Sequence, residues 1–322
     1  MSHLQLSVNI EALKLVNKLC TDAVKFGVSV KEAKSGATII DAGIEAKGGF
    51  LAGEIITEIC LGGLGEATLF HAKYGDVELP SISVFTDNPA IATLGSQFAG
   101  WKIKVGGYSA IGSGPARALS LKPKSIYETI EYRDKADKAV LVLETSKGPP
   151  EEAIEYISNL CGVKPKNLFL ILVPTPSIVG FTQVSGRIVE TGIHKLTTLG
   201  FNPKIIRYAH GYAPIMPVHP DYAEAMGRVN DAIMYGGVTC CHVEFDGSDE
   251  TLKDLAEKAV SSASEQHGRP FIEIFKESSF DFYKVDPKLF APAILTINNI
   301  RTGRAFKAGR LNVSMLKESV EE

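Results

Sequence analysis

Two unbroken apolar stretches, separated by one amphipathic segment, restrict the fold of this chain more than any other feature of its sequence. Residues 139–144 read AVLVLE and residues 168–173 read LFLILV, and each is as long as one strand. A strand that is apolar at every position is typically buried on both faces. Between them, residues 151–161 repeat apolar side chains at helical spacing. The sequence therefore predicts a buried strand, a helix and a second buried strand in succession.

The remaining pattern mixes two fold classes. Strand-like and helix-like stretches alternate over part of the chain, whereas residues 37–42 and 55–61 are strand-like stretches that follow one another. Alternation is typical of α/β proteins, and consecutive strands are typical of α+β proteins. We therefore predict a mixed α/β (α+β) fold with mixed sheets.

The length of 322 residues favours two domains, because one domain has about 100–200 residues. Glycine and proline at positions 148–150 interrupt the chain near its middle. We predict an N-terminal α/β domain over residues 1–147 and a C-terminal α/β domain over residues 148–322. Whether the last strands return to the first domain is left open.

Charge and composition exclude several classes of partner. The net charge of −3 gives no electrostatic basis for binding nucleic acid or an anionic membrane. No stretch approaches the roughly 20 apolar residues of a membrane span, and residues 1–16 lack the pattern of a secretory signal. Five irregularly spaced cysteines argue against a disulfide framework. We expect a cytoplasmic protein.

Cys240, Cys241 and His242 resemble a metal-binding cluster at first sight. On the strand predicted over residues 238–245, Cys240 and His242 share one face and Cys241 points to the other. Two ligand types without a second cluster make a poor zinc site, so we predict small buried residues and no metal here. Residues 210–220 are rich in glycine and proline and are predicted to form a loop.

Residues 106–117 predict a glycine-rich turn that leads towards a helix, and residues 112–117 are its last part. Its Gly114 and Pro115 suit a close backbone approach and a first helical turn. Backbone N–H groups, with Ser113 and Arg117, are candidates for binding a phosphate or carboxylate of a substrate. The alternative is a tight turn that only caps the helix, and the sequence does not decide between the two.

Residues 93–101 combine small polar residues, two glycines and the only tryptophan. A flat heterocycle such as a pterin carries donors and acceptors along one edge, and Ser96 and Gln97 suit that edge. The alternative is a helix end with Trp101 in the core, which is the more frequent fate of a tryptophan.

Residues 181–200 are predicted to form one helix that ends at Gly200. Within it, Arg187 and Glu190 are three residues apart and share a face, and Gln183 lies one turn earlier on the same side. An exposed ion pair is the commoner outcome of this spacing and contributes little to stability. The apolar Ile188 and Val189 between the two charges argue for a functional pair instead.

A run of hydroxyl side chains over residues 261–264 leads into Glu265 and His267. We take Ser264 and Glu265 as candidate substrate-binding residues of a loop. A serine nucleophile activated by His267 is an alternative, although no GxSxG motif accompanies it.

These segments, taken together and in this order, resemble the methenyltetrahydromethanopterin cyclohydrolase family, and the resemblance covers nearly the whole chain. The matching stretches are ITEICLGGLGE (56–66), TLGSQFAGW (93–101), GSGPARALSLKPK (112–124), SGRIVETG (185–192), AMGRVNDA (225–232), SSASEQHGRPF (261–271), FDFYK (280–284) and FAPA (290–293).

The resemblance implies reversible hydrolysis of 5,10-methenyltetrahydromethanopterin to the 5-formyl compound, a step of one-carbon metabolism in methanogenesis and related pathways. It also implies a homotrimer of two-domain subunits, a cleft between the domains that binds the pterin, and no metal or redox cofactor. The catalytic pair of the family falls on Arg187 and Glu190. Two alternatives remain: a serine-type hydrolase, and a non-catalytic protein that binds a pterin or phosphometabolite.

Overall fold

The computed structural model describes residues 6–321. Residues 1–5 lie outside the described residues, and they include the start of the N-terminal segment that was tested for the pattern of a secretory signal. The helices are α1 Val8–Thr21, α2 Ala23–Phe26, α3 Phe50–Cys60, α4 Arg117–Ser120, α5 Lys124–Ile130, α6 Glu151–Cys161, α7 Ile178–Ser185, α8 Ile188–Thr198, α9 Tyr222–Gly236, α10 Asp249–Lys258, α11 Phe271–Glu277 and α12 Val313–Glu321. The strands are β1 Ser29–Glu32, β2 Thr38–Asp41, β3 Glu66–Tyr74, β4 Val77–Thr86, β5 Trp101–Val105, β6 Tyr108–Ser113, β7 Ala139–Glu144, β8 Leu168–Val173, β9 Ile206–Pro214, β10 Val238–Val243, β11 Ile294–Asn299 and β12 Arg304–Gly309.

These elements form two sheets of six strands and two compact units. The first unit contains the chain through Glu66, Ile91–Pro174 and Ile178–Gly180, and the second contains Ala67–Ala90, Thr175–Ser177 and the chain from Phe181. The predicted boundary after residue 147 instead falls between β7 and α6, which both belong to the first unit. The hairpin of β3 and β4 belongs to the second unit although it precedes that boundary by about sixty residues in sequence.

The sheet of the first unit has the order β1-β2-β8-β7-β6-β5. Strands β2, β8 and β7 run parallel, and the outer pairs are antiparallel, so the predicted mixed sheet is confirmed. Alternate residues of β7 point into two separate cores: Val140 and Val142 pack with α1 and α3, whereas Leu141 and Leu143 pack with α6. Burial on both faces is the reason that β7 as far as Leu143 and all of β8 are apolar.

Two predictions for the first unit were wrong. Residues 55–60 belong to α3, with Leu61 as its C-cap, and not to a strand, because this helix is buried on most of its circumference. A helix with so little polar surface has the same short apolar pattern as a buried strand. Residues 108–113 form strand β6, which continues the sheet as a hairpin with β5, whereas the sequence predicted a turn throughout.

The sheet of the second unit has the order β12-β11-β10-β9-β4-β3. Strands β10 and β11 are parallel, and β10 is antiparallel to β9. Along β10 the side chains alternate between full and half burial: Thr239, Cys241 and Val243 are buried, and the residues between them are half-exposed. Helix α8 packs on the buried face, so the half-exposed side chains point away from it.

Three further predictions differ in the second unit. Strand β9 continues through residues 210–214, which were predicted to be a loop. Gly211 is paired with both β4 and β10, whereas Pro214, at the end of the strand, is paired only with Ser81 of β4. The helix predicted over residues 181–200 is broken into α7 and α8. The acidic, polar sequence after Leu316 predicts a frayed tail, but these residues continue helix α12, which begins at Val313. Among the described residues, no helix has the length and apolar character needed to cross a bilayer.

Candidate active site

The break between α7 and α8 places Arg187 at a helix start. The amide of Gly186 still donates a helical hydrogen bond to the carbonyl oxygen of Thr182, but the amide of Arg187 bonds to Val184, one residue nearer. Helix α8 then begins, with Arg187 as its N-cap and Glu190 in its first turn. A carboxylate in the first turn is stabilised by the helix dipole, so this geometry favours an ionised Glu190.

Arg187 and Glu190 form a buried ion pair. The distance from Nη1 of Arg187 to Oε2 of Glu190 is 3.8 Å, and their side chains are only 12% and 9% exposed. Nε of Arg187 donates to Oε1 of the buried Gln183 at 3.2 Å. The alternative of an exposed ion pair is therefore wrong. Burial of two charges costs several kcal/mol per ion before their attraction is counted, so stability alone does not explain the pair.

Close packing against the second sheet fixes the position of α8. Ile188, Val189, Ile193 and Leu196 are fully buried, and burial of each such side chain contributes about 1.5–3 kcal/mol. The hydroxyl of Thr239 on β10 donates to the carbonyl oxygen of Ile188 at 2.9 Å. A Cβ atom at Gly192 would lie 2.7 Å from Cγ2 of Thr239. Glycine at position 192 therefore lets the helix that carries the pair approach the sheet.

In the first unit, the structure brings together two of the segments that carry predicted substrate-binding residues. Ser96 and Gln97 are fully buried at the end of a π-helical segment, Ile91–Gln97. The carbonyl oxygen of Ser96 accepts hydrogen bonds from the amide of Gly114 and from Nη1 of Arg117, both at 2.9 Å. The hydroxyl of Ser96 donates to the carbonyl oxygen of Cys60 at 2.6 Å.

The geometry of the glycine-rich turn favours its capping role over an anion site. The amide of Gly114 bonds to Ser96, the amide of Ala116 bonds to Val140, and the amide of Arg117 bonds to Gly114 itself. Each of these N–H groups thus already has a carbonyl partner. Helix α4, which follows the turn, has only four residues. Gly114 adopts a φ of +98°, which explains the need for glycine there.

The other candidates in this turn are also buried. Pro115 is buried, and its carbonyl oxygen accepts a hydrogen bond from Nδ2 of Asn9 at 2.9 Å. Ser113 is the last residue of β6, and its hydroxyl lies 3.8 Å from Sγ of Cys60. These contacts connect the turn to α1 and α3, so they contribute to the core of the first unit.

The segment over residues 261–271 does not assemble a serine–histidine dyad. The hydroxyl of Ser264 donates to Oδ2 of Asp286 at 2.6 Å, and Glu265 is exposed. His267 packs edge-on against Tyr235, and its Nε2 has no hydrogen-bond partner in the described structure. Burial lowers the pKa of His267. A general base for Ser264 would have to contact its hydroxyl, and His267 does not.

Sequence reasoning missed His210. This residue lies in β9 directly opposite Cys240 of β10, and His242 follows on the same face. One side-chain ligand atom from each of the three lies within 4.8 Å of the others. Because residues 210–220 were predicted to be a loop, no sequence signal placed His210 beside a strand almost thirty residues later.

Comparison with known proteins agrees with the resemblance found in the sequence. The family model described as "Cyclohydrolase (MCH)" matches residues 7–320. A protein of Methanothermobacter marburgensis named methenyltetrahydromethanopterin cyclohydrolase is 47% identical over 318 residues, which are 97% of this chain and 98% of that protein. Proteins of the same name from Methanocaldococcus jannaschii and Methanococcoides burtonii are each 45% identical, with 98% of both chains covered.

Proposed function

This chain belongs to the methenyltetrahydromethanopterin cyclohydrolase family, and from that premise we propose that it hydrolyses 5,10-methenyltetrahydromethanopterin reversibly to 5-formyltetrahydromethanopterin. The observation that supports this function best is the buried pair of Arg187 and Glu190 at the start of α8. The pair combines a base, a fixed cation and little exposure to solvent. Water addition to a cationic carbon requires a base of this kind.

The first step of the proposed mechanism is attack by water. The methenyl carbon lies between two nitrogens that share a positive charge, so it is electrophilic without further activation. Glu190 accepts one proton from the water molecule as the new C–O bond forms. Arg187, held by Gln183, keeps Glu190 oriented and ionised and stabilises negative charge as it develops on oxygen.

In the second step, the C–N bond away from N5 breaks and its electron pair stays on the leaving nitrogen. The proton of the new hydroxyl group ends on that nitrogen, and the carboxylate of Glu190 is the group proposed to carry it there. The proton taken from water in the first step is released to solvent. Because the substrate carbon is already cationic, we propose that the reaction uses no metal or redox cofactor.

Among the predicted substrate-binding residues, Gln183 has the strongest support, since it contacts Arg187 directly. We propose that the pterin lies against this pair. A role for Ser264 or Glu265 in holding the pterin remains a prediction, as does one for the buried residues Ser96 and Gln97.

We further propose that the chain acts as a homotrimer in the cytoplasm. The trimer is supported by the family resemblance, and a solution mass three times the chain mass of 34.7 kDa would be expected. A solution mass equal to that of one chain would contradict the trimer. The location is supported by the five cysteines, all of which are free thiols and suit a reducing compartment.

The activity is tested by mixing the chain with 5,10-methenyltetrahydromethanopterin and following the absorbance of the methenyl group. Loss of this absorbance at a rate proportional to enzyme concentration is expected. A bound substrate whose absorbance does not change with time would indicate a carrier instead of an enzyme. Labelling of a serine by a covalent probe, with loss of activity, would favour the serine-type hydrolase.

A further inference from the structure

Three side chains on the half-exposed face of the second sheet converge in a way that the proposed reaction does not use. His210 and Cys240 are directly paired across β9 and β10, and His242 lies two residues beyond Cys240 on the same face. Directly opposite residues of an antiparallel pair have Cβ atoms about 4.5–5.5 Å apart. The three side chains are half-buried, and they are the one group of three His, Cys, Asp or Glu residues within residues 6–321 found close enough to share a metal ion.

Neighbouring side chains hold the two imidazole rings in place. Nδ1 of His242 lies 3.1 Å from Oδ1 of Asn298 on the adjacent strand β11. This contact favours a proton on Nδ1, which leaves the lone pair of Nε2 directed toward Cys240. His210 is stacked on Phe85 with ring centroids 5.1 Å apart. A histidine that binds a metal ion through one ring nitrogen commonly has a hydrogen-bond partner on the other, as Nδ1 of His242 has in Asn298.

The distances approach those of a tetrahedral zinc site. Zinc binds thiolate sulfur at about 2.3 Å and imidazole nitrogen at about 2.0–2.1 Å, which sets neighbouring ligand atoms about 3.3–3.6 Å apart. Sγ of Cys240 lies 3.8 Å from Nε2 of His242. A ring nitrogen of His210 lies within 4.8 Å of a ligand atom of each of the other two residues. Small side-chain rotations would therefore complete the three-ligand arrangement without moving the strands.

We propose that His210, Cys240 and His242 form a binding site for a zinc ion, with water as the fourth ligand. One thiolate and two imidazoles form a ligand set that suits zinc. Three protein ligands with water in the fourth position form a known zinc coordination, the one that catalytic zinc sites use. The ion would join β9 to β10 on the face that points away from α8, so it takes no part in the chemistry of Arg187 and Glu190.

A zinc ion binds a neutral imidazole and a thiolate, so the protons on His210 and Cys240 affect its binding. Burial, and to a smaller extent the charge of His242, lowers the pKa of His210, which favours the neutral imidazole that a metal ion binds. Burial raises the pKa of the Cys240 thiol, so the ion must displace a proton from sulfur.

The test uses the full chain, freed of bound metal with a chelator, kept reduced, and titrated with Co²⁺. A thiolate-to-cobalt charge-transfer band that saturates at one ion per chain is expected, and one equivalent of Zn²⁺ should remove it. Cys240→Ser should abolish the band, and His210→Ala should weaken it. Cys20→Ser is the matched control, because Cys20 is a half-exposed thiol outside the site, and it should leave the band unchanged.

Asn298→Ala provides a second readout that does not depend on the thiol. Loss of the hydrogen-bond partner of His242 should weaken zinc binding by about 10–100-fold in competition with a chromophoric chelator. Circular dichroism confirms that each variant is folded. Absence of the charge-transfer band in the wild-type chain, or its persistence in Cys240→Ser, would overturn the proposed site.

Discussion

Arg117 illustrates how the surroundings of a single residue decide its role. Its side chain is fully buried, and the carbonyl oxygens of Leu94, Ser96 and Lys122 accept its hydrogen bonds. The aromatic rings of Phe98 and Tyr127 lie 5.3 and 5.7 Å from its guanidinium carbon. From the sequence, Arg117 was a candidate for binding an anionic group of the substrate. These contacts support a structural role, in which Arg117 connects the π-helical segment to the turn before α4.

Arg117→Met should therefore act mainly on stability. The substitution leaves buried carbonyl oxygens without a donor, and we expect the free energy of unfolding to fall by at least about 2 kcal/mol. Denaturant unfolding measures this change. Arg310→Met is the control at an exposed position, where a change within about 0.5 kcal/mol is expected. An unchanged stability of Arg117→Met together with a raised KM would instead favour substrate binding.

At the scale of secondary structure, the position of the catalytic pair depends on how closely α8 approaches β10. Gly192 lies two residues beyond Glu190, at a position where an added methyl group would lie 2.7 Å from Thr239. The hydroxyl of the same Thr239 donates to the carbonyl oxygen of Ile188, one turn before Gly192 on α8. A displacement of α8 would move Glu190 without altering its chemistry.

Gly192→Ala should lower kcat roughly 10-fold or more, because small displacements of a positioned base are costly. Adding Thr239→Ser removes the nearest methyl group, keeps the hydroxyl and should restore part of the activity. Gly148→Ala is the control, since nothing lies within 4 Å of a Cβ atom there. Equal kcat values for Gly192→Ala and the wild-type chain would show that this helix–sheet contact does not position the pair.

Elements with an unambiguous pattern could be predicted from the sequence, and others could not. Strands β7 and β8 and helix α6 have the predicted bounds, because the two strands are runs of apolar residues and the helix repeats apolar residues at helical spacing. Helix α3 resembled a strand because its Ile and Thr residues are buried on most sides. Glycine and proline within β9 resembled a loop because the pairing of that strand with β4 and β10 is set by residues far away in sequence. His210 and Cys240 lie opposite each other because of the same pairing between β9 and β10, so their proximity could not be predicted from the sequence.

At the scale of the whole molecule, the predicted site residues belong to both compact units. The first unit contains Ser96, Gln97, Ser113, Gly114, Pro115 and Arg117, and the second contains Gln183, Arg187, Glu190, Ser264 and Glu265. A linear boundary after residue 147 could not represent this organisation, because the chain leaves the first unit after Glu66 and returns to it at Ile91. The identity of the family could be inferred from ordered motifs alone, since their order does not depend on how the units are folded.

The central claim is that Glu190 is the base that takes the proton of the attacking water, and Glu190→Gln tests it most directly. The amide preserves the size of the side chain but cannot accept that proton. In the methenyl absorbance assay, with circular dichroism showing an unchanged fold, kcat should fall by about 10²–10⁴-fold. A folded Glu190→Gln variant with near wild-type turnover would contradict the claim.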